Sequence, residues 1–187
     1  SLNRKILLVL LSCFVGYVKS QSVLWGMTSK GGTYNNGTIF SIPTSSTNFS
    51  STYSFANVYP GSMPYSTNLV ETNNGKLYGM TMYGGAYGCG VIFEYDSNNN
   101  IYTVKLEFDG LNKGKNPNGS LVIGNNGKLY GMTQKGGSND YGVLFEYDPL
   151  LNMYNKKIDF DGTSYGKYPL GNLIQASNGI FYGLTSE

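Results

Sequence analysis

The sequence predicts an all-β chain, a β-propeller of four-stranded antiparallel blades, and three observations carry that prediction. One short apolar-aromatic motif recurs four times, its copies starting 53, 52 and 52 residues apart. The stretches between copies alternate with period two and favour β-branched and aromatic residues, the pattern of strands and not of helices. Asn-Gly and Gly-Gly pairs punctuate the units at matching offsets, and self-similarity at this period marks a repeat architecture.

The first element is an export signal. Arg4 and Lys5 precede the apolar run Ile6 to Leu11, continued by Cys13 to Val18, and Ser20 offers a small residue for cleavage. The run is short for a membrane span, which needs about 20 apolar residues, so residues 1–20 read as a secretory signal, the alternative being an uncleaved anchor. Leu10-Leu11-Ser12-Cys13 also loosely matches a lipoprotein box, in which Cys13 would carry the lipid; the apolar residues beyond it speak against that. Removing Arg4, Lys5 and Lys19 leaves 10 basic against 11 acidic residues, a net charge of −1 in place of +2. No basic cluster remains for nucleic acid, and no membrane span is expected in the mature chain.

Residues 21–187 form the repeat, with units starting near 24, 77, 129 and 181. Leu24-Trp25-Gly26-Met27-Thr28, Leu77-Tyr78-Gly79-Met80-Thr81, Leu129-Tyr130-Gly131-Met132-Thr133 and Phe181-Tyr182-Gly183-Leu184-Thr185 are its second strands. Gly-Gly follows at 31, 84 and 136, and then Gly37 to Phe40, Gly90 to Phe93 and Gly142 to Phe145 open the third strands. In the fourth strand Tyr102, Val104, Leu106 and Phe108 alternate with Thr103, Lys105 and Glu107, which predicts one apolar and one polar face. Pro64, Pro117 and Pro169 precede the short apolar runs at Leu69, Leu121 and Leu173. Asn74-Gly75, Asn126-Gly127 and Asn178-Gly179 then predict tight type I′ hairpins, because both residues tolerate positive φ. The extra residue of the first unit falls between Pro64 and Leu69, in a loop.

Four strands in each unit of about 50 residues is the size of a propeller blade; an open β-solenoid is the second architecture, disfavoured because its coils are shorter. The order resembles kelch blades without their Trp and Arg landmarks. The Leu-Tyr-Gly-x-Thr, Gly-Gly and Gly-x-x-Phe elements resemble more closely the bacterial Gloeo-Verruco (GloVer) tandem repeat, over residues 24–187. That resemblance implies a secreted or surface-attached repeat protein of undefined molecular activity. Strand counting gives 12, three blades' worth, where propellers have four to eight, so the sequence is expected to be a fragment of a longer propeller.

The residues argue against an active site. With no histidine in the chain, Ser-His-Asp and Cys-His catalysis are excluded within these residues, and Cys13 and Cys89 cannot make a zinc cluster. Cys89 reads as a buried inert thiol. Eight of the 11 acidic residues sit at repeat-equivalent positions: Glu94 with Glu146, Asp96 with Asp148, Glu107 with Asp159, and Asp109 with Asp161. A residue copied in each unit is framework, turn caps and cross-strand partners, whereas hydrolysis needs one unsymmetrical pair. Glu71 and Asp140 are not repeated and read as solvated. Asp96 to Asn100 looks like the start of a calcium loop but lacks its Gly and distal Glu, which leaves a plain turn. The Gly-Gly pairs lack the Lys-Ser/Thr of a phosphate loop. No metal, cofactor or catalytic residue is assigned.

Tyr78, Tyr130 and Tyr182 repeat and are expected in the core. Tyr83, Tyr87, Ser138, Asn139 and Asp140 vary between copies of the Gly-Gly loop, and binding residues concentrate on variable loops of a rigid scaffold; these five are the candidate ligand site. The expected function is a non-enzymatic secreted or cell-surface binding, adhesion or scaffold module for polysaccharide or a surface protein, with an unseen C-terminal sorting domain as a further expectation. The alternative is the propeller part of a secreted polysaccharide-active enzyme with its catalytic residues elsewhere.

Overall fold

The computed structural model describes residues 22–56 and 59–187; residues 1–20, read above as an export signal, and Cys13 among them lie outside the described residues. Fourteen strands and no helix are present among them, so none is available there to cross a membrane as a long apolar helix. β1 (Val23–Thr28), β2 (Thr38–Pro43) and β3 (Ser50–Ser54) form the first sheet, and β4 (Val70–Glu71), β5 (Leu77–Thr81), β6 (Val91–Asp96) and β7 (Ile101–Glu107) the second. In the third, β8 (Lys115–Pro117) and β9 (Val122–Ile123) both pair with β10 (Leu129–Lys135), followed by β11 (Val143–Asp148) and β12 (Met153–Asp159). β13 (Pro169–Gln175) and β14 (Phe181–Thr185) make the fourth. Neighbours are antiparallel, and no strand pairing joins the first sheet to the fourth, so the described residues form an all-β array of antiparallel sheets without a closed ring.

The count of 12 strands is corrected to 14 for two reasons. The strand opening the third unit is broken: β8 pairs at Pro117↔Thr133 and β9 at Val122↔Tyr130. Proline cannot donate to the ladder, and Gly119 follows at φ +136. In the second unit only the bridge Ser62↔Tyr83 marks the corresponding first piece. The tail also holds a hairpin, β13–β14, where one strand is expected.

The core lies between sheets, which explains why the recurring motif is apolar on both faces. Every residue of β5 is buried. Leu77, with Val91, Phe93 and Tyr95, packs on Ile39 and Phe55 of the first sheet. Tyr78, Met80, Ile92 and Phe108 pack on Leu121, Leu129, Val143, Phe145 and Tyr147 of the third. Tyr130, Met132 and Phe160 meet Leu173 of the fourth. A strand covered on both sides reads as a continuous apolar run.

Within the motif the glycine is a matter of space. Gly26, Gly79 and Gly131 stand opposite Phe40, Phe93 and Phe145 in the ladder, and each ring lies over its glycine. A Cβ on Gly131 would come 2.7 Å from the Phe145 ring, so the pair is complementary: the glycine admits the aromatic and the aromatic covers the bare backbone.

Two readings of local structure are corrected. Tyr102, Val104, Leu106 and Phe108 do not share a face. Ile92 pairs with Leu106 and Phe93 with Val104, so Lys105 is an extra residue, and a one-residue bulge reverses which face later side chains take. Tyr102 and Val104 therefore pack toward the first sheet and Leu106 and Phe108 toward the third. The hairpins are not type I′. Gly75 N–H donates to Thr72 O at 2.8 Å and Thr72 N–H to Lys76 O at 2.9 Å, and Gly75 has positive φ while Asn74 does not. This is a type I turn closed by a left-handed glycine. Asn74 is selected for its side-chain oxygen, which accepts from Lys76 N–H at 3.1 Å, as Asn126 and Asn178 accept from Lys128 and Ile180.

Tyr78 and Tyr130 are buried as expected, but Tyr182 is 51% exposed; it is its neighbour Phe181 that packs on the cluster shared with the third sheet. Adjacent units are also tied to one another: Asn68 N–H donates to Ser120 Oγ at 2.8 Å, and Ser120 N–H to Asn172 Oδ1 at 2.6 Å, one repeat period apart each time.

Candidate functional site

The loop from second to third strand has one construction throughout. The motif threonine closes it: Thr81 and Thr133, fully buried, donate to Tyr83 O and Lys135 O at 2.9 Å, and Thr133 Oγ1 accepts from Val143 N–H at 3.2 Å. Gly37, Gly90 and Gly142 N–H donate back to Gly31, Gly84 and Gly136 O at 3.1, 3.0 and 2.9 Å. The next unit then docks on the loop, Met63, Asn116 and Tyr168 N–H donating to Asn36, Cys89 and Tyr141 O at 3.0, 2.9 and 2.9 Å. Loops and connectors therefore gather at one end of the sheets, on a repeated backbone.

Of the five candidate ligand residues, Tyr83 helps line a cavity at this end. It is 42% exposed and walls a groove of about 320 Å³ with Ser29, Lys30, Met63, Tyr65 and Met82. Tyr87 stands at the tip of its loop, 62% exposed, its carbonyl accepting from Cys89 Sγ at 3.3 Å. Ser138, Asn139 and Asp140 lie one loop further on and hold that loop together. Ser138 N–H and Oγ donate to Asp159 at 3.1 and 3.0 Å, and Asn139 Nδ2 to Phe160 O at 3.4 Å. Asp140 accepts from Gly136 N–H at 2.8 Å and pairs with Lys115 at 2.8 Å; Asn35 makes the same contact with Gly31 N–H, so Asp140 has a repeated structural place.

Sequence comparison between units missed Ser29, Lys30, Met63, Tyr65 and Met82, although it carried their signal. Ser29, Met82 and Gln134 are equivalent, as are Lys30, Tyr83 and Lys135; Met63, Asn116 and Tyr168; and Tyr65, Asn118 and Leu170. The connectors vary as much as the loops. At the last junction the counterpart of Met63, Tyr168, stands edge to face with Tyr141 at 5.6 Å, with Lys167 Nζ 5.6 Å from both rings.

A second cavity, about 510 Å³, lies at the opposite end between the hairpins Thr72–Asn74 and Asn125–Lys128 and the turn at Asp148–Leu150. The carboxylates near it are engaged. Glu94 accepts from Tyr78 Oη; Glu146 accepts from Tyr130 Oη at 2.9 Å and Lys128 Nζ at 2.8 Å. Asp96 takes Lys76, Asn98 N–H at 3.0 Å and Asn99 Nδ2 at 2.8 Å, and Asn100 takes Tyr95 Oη at 2.9 Å. The oxygens of this stretch are spent on its own turn, and among the described residues no three Cys, Asp or Glu side chains converge. Asp109 caps the following connector through Asn112 and Lys113 N–H, both at 2.8 Å. Cys89 is half-buried, not fully buried as expected, and burial pushes its thiol up.

These pairings set the acid limit of the fold. The Lys76 ammonium holds Asp96 down at about 2, Lys115 lowers Asp140, and Lys128 lowers Glu146. A carboxylate lowered in the folded state adds stability above its unfolded value, about 3.9 for Asp and 4.3 for Glu, and that stability is lost as pH falls through the folded value. Thermal midpoints should therefore hold from pH 7 to about 5 and drop steadily from about 4 to 2. A midpoint unchanged at pH 2 would refute these pairings.

A profile of the Gloeobacter/Verrucomicrobia repeat family matches residues 14–187. A search of curated protein sequences found no match. Among solved structures the chain is similar to a Mycobacterium tuberculosis puromycin-hydrolyzing peptidase, with a TM-score of 0.44 and 10% identity, over 86% of this chain and 23% of that one.

Proposed function

This chain belongs to the Gloeobacter/Verrucomicrobia repeat family, and from that premise we propose that it is an exported, non-enzymatic binding module that takes a neutral polysaccharide at the Gly-Gly-loop end of its sheets. One observation carries the reading. The groove of Ser29, Lys30, Met63, Tyr65, Met82 and Tyr83 is walled by residues whose counterparts differ between units, set on threonine and glycine positions that do not. Its two tyrosines and two methionines offer flat or adaptable apolar surface, which suits the faces of sugar rings, and Lys30 is its one ionic group. Export rests on Arg4, Lys5 and the apolar run behind them.

In this reading the sheets are blades. The ties from Asn68 to Ser120 to Asn172 support it, since they link the opening segments of successive units one to the next, as convergence on a common axis would. The place where a Cβ on Gly119 would overlap Gly171 supports it too.

The test is retention of the chain on a panel of insoluble plant and bacterial cell-wall polysaccharides, followed by titration with soluble fragments. Tyr65→Ala and Tyr83→Ala together should weaken the interaction by at least about tenfold, the loss of roughly 1.4 kcal/mol expected for removing two stacking rings. Retention unaffected by the double substitution, binding only to a surface protein, or no binding to any glycan overturns the reading.

A further inference from the structure

The cavity of about 510 Å³ at the hairpin end is walled by the β4–β5 and β9–β10 hairpins and the β11–β12 turn, all within the second and third sheets. Its volume is in the range of small-ligand clefts, about 300–1,000 Å³. Each hairpin brings an Asn-Asn pair whose two members do different things. The second asparagine is committed to the turn. Asn74 Oδ1 accepts from Thr72 Oγ1 at 2.7 Å and from Lys76 N–H at 3.1 Å; Asn126 Oδ1 accepts from Lys128 N–H at 3.2 Å while its Nδ2 donates to Tyr130 Oη at 2.9 Å. The first asparagine, Asn73 and its counterpart Asn125 one period on, is exposed on the cavity wall. Asn125 uses its backbone N–H, at 2.9 Å from Gln175 Oε1, and neither side-chain amide bonds to another described residue. Both recur without holding the turn, so the fold alone does not account for them.

The charges at the cavity are already matched. Lys128 Nζ lies 2.8 Å from Glu146 and 3.8 Å from Asp148, and Asp148 Oδ1 accepts from Leu150 and Leu151 N–H at 3.0 and 3.1 Å, which favours a neutral ligand. Pro149 and Leu150 make the remaining wall apolar, and Leu150 is 85% exposed, so a ligand group that covers it gains by burial. None of the described lining residues is aromatic, which leaves no platform for the face of a sugar ring and points to recognition of a substituent. Free amides that both donate and accept, beside a small apolar surface, match an acetamido group: its N–H and C=O pair with the amides and its methyl packs on Leu150. A peptide carries amides too, but capture by strand addition needs free backbone at an edge. Here the hairpin backbone is spent, Gly75 and Gly127 N–H donating to Thr72 and Gly124 O at 2.8 Å.

We propose that this cavity binds an N-acetylhexosamine residue of an acetylated glycan, with Asn73 and Asn125 on the acetamido group and Pro149 and Leu150 on its methyl. The site is independent of the groove at the Gly-Gly-loop end.

The experiment is calorimetric titration of the full chain with three probes: triacetylchitotriose, cellotriose, which bears hydroxyls in place of the acetamido groups, and the neutral peptide acetyl-trialanine amide. Saturable binding of the acetylated trimer is expected, at least about tenfold tighter than either other probe, and weakened to a similar degree by Asn73→Ala with Asn125→Ala. Because those two side chains hold nothing in the fold, the thermal midpoint of the double variant should stay within about 2 °C. Should it fall further, an NMR map of the acetylated trimer on the unsubstituted chain decides: shifts centred on residues 72–74, 125–128 and 148–150 support the site, and shifts elsewhere overturn it. Equal binding of cellotriose, equal or tighter binding of the peptide, binding unchanged by the double substitution, or no binding of the acetylated trimer also overturns it.

Discussion

Replacing Phe145 by alanine is expected to destabilise the chain by about 3–5 kcal/mol, the range for emptying a fully buried aromatic site. The ring is wholly inaccessible, lies over Gly131, and meets Phe108 and Tyr154 at centroid distances of 5.5 and 5.4 Å. Phe108 comes from the second sheet, so the truncation removes contacts within the third sheet and across the junction together. At about 2–4 °C per kcal/mol for a chain of this size, the thermal midpoint should fall by roughly 10 °C. Gly131→Ala alone should cost about 1–3 kcal/mol by forcing the ring aside. The double variant should then cost clearly less than the sum, because the space left by the ring accepts the new methyl. Strict additivity of the two losses would mean that ring and glycine do not touch.

The period of the chain was legible because each unit solves the same packing problem, so Gly79 and Phe93 recur together in Gly131 and Phe145. The reason for the glycine was not legible, since it depends on which residue stands opposite across the ladder. Lys105 shows a sharper limit. Nothing in the alternation of Tyr102, Val104, Leu106 and Phe108 reveals a bulge, because a regular strand and a bulged strand between two apolar layers can carry the same apolar positions. Asn126-Gly127 pointed to the right place and the wrong turn, as the pair serves both a two-residue and a three-residue loop. For the candidate site, variation between units found Tyr83 on the groove. It also selected Ser138, Asn139 and Asp140, whose side chains vary in identity while tying the same loop. Met63 and Tyr65 were hidden because they reach the groove from the connector, and which connector residues face a loop more than 20 positions away is a property of docking.

The second large effect is expected at Gly142, where alanine should cost about 3–5 kcal/mol, combining backbone strain of about 1–3 kcal/mol with an overlap of similar size. Gly142 has φ +100. A Cβ there would overlap the carbonyl oxygen of Thr133, the residue that closes the loop, and lie 2.8 Å from Pro169 Cδ at the start of the next unit. The same residue donates to Gly136 O at 2.9 Å and accepts from Phe160 N–H at 3.1 Å, so a shift that relieves the overlap loosens the loop, the fourth strand and the docking of β13 together. Gly127 is the matched control. It has φ +76 and no atom within 4 Å of its would-be Cβ, so Gly127→Ala should lose only the conformational part, about 1 kcal/mol. Equal losses in the two variants, measured by denaturant unfolding, would show that φ alone selects these glycines. A larger loss at Gly142 shows that its place is set by the approach of three chain segments, which is why that glycine recurs at positions 37, 90 and 142 with the prolines at 64, 117 and 169 beside it.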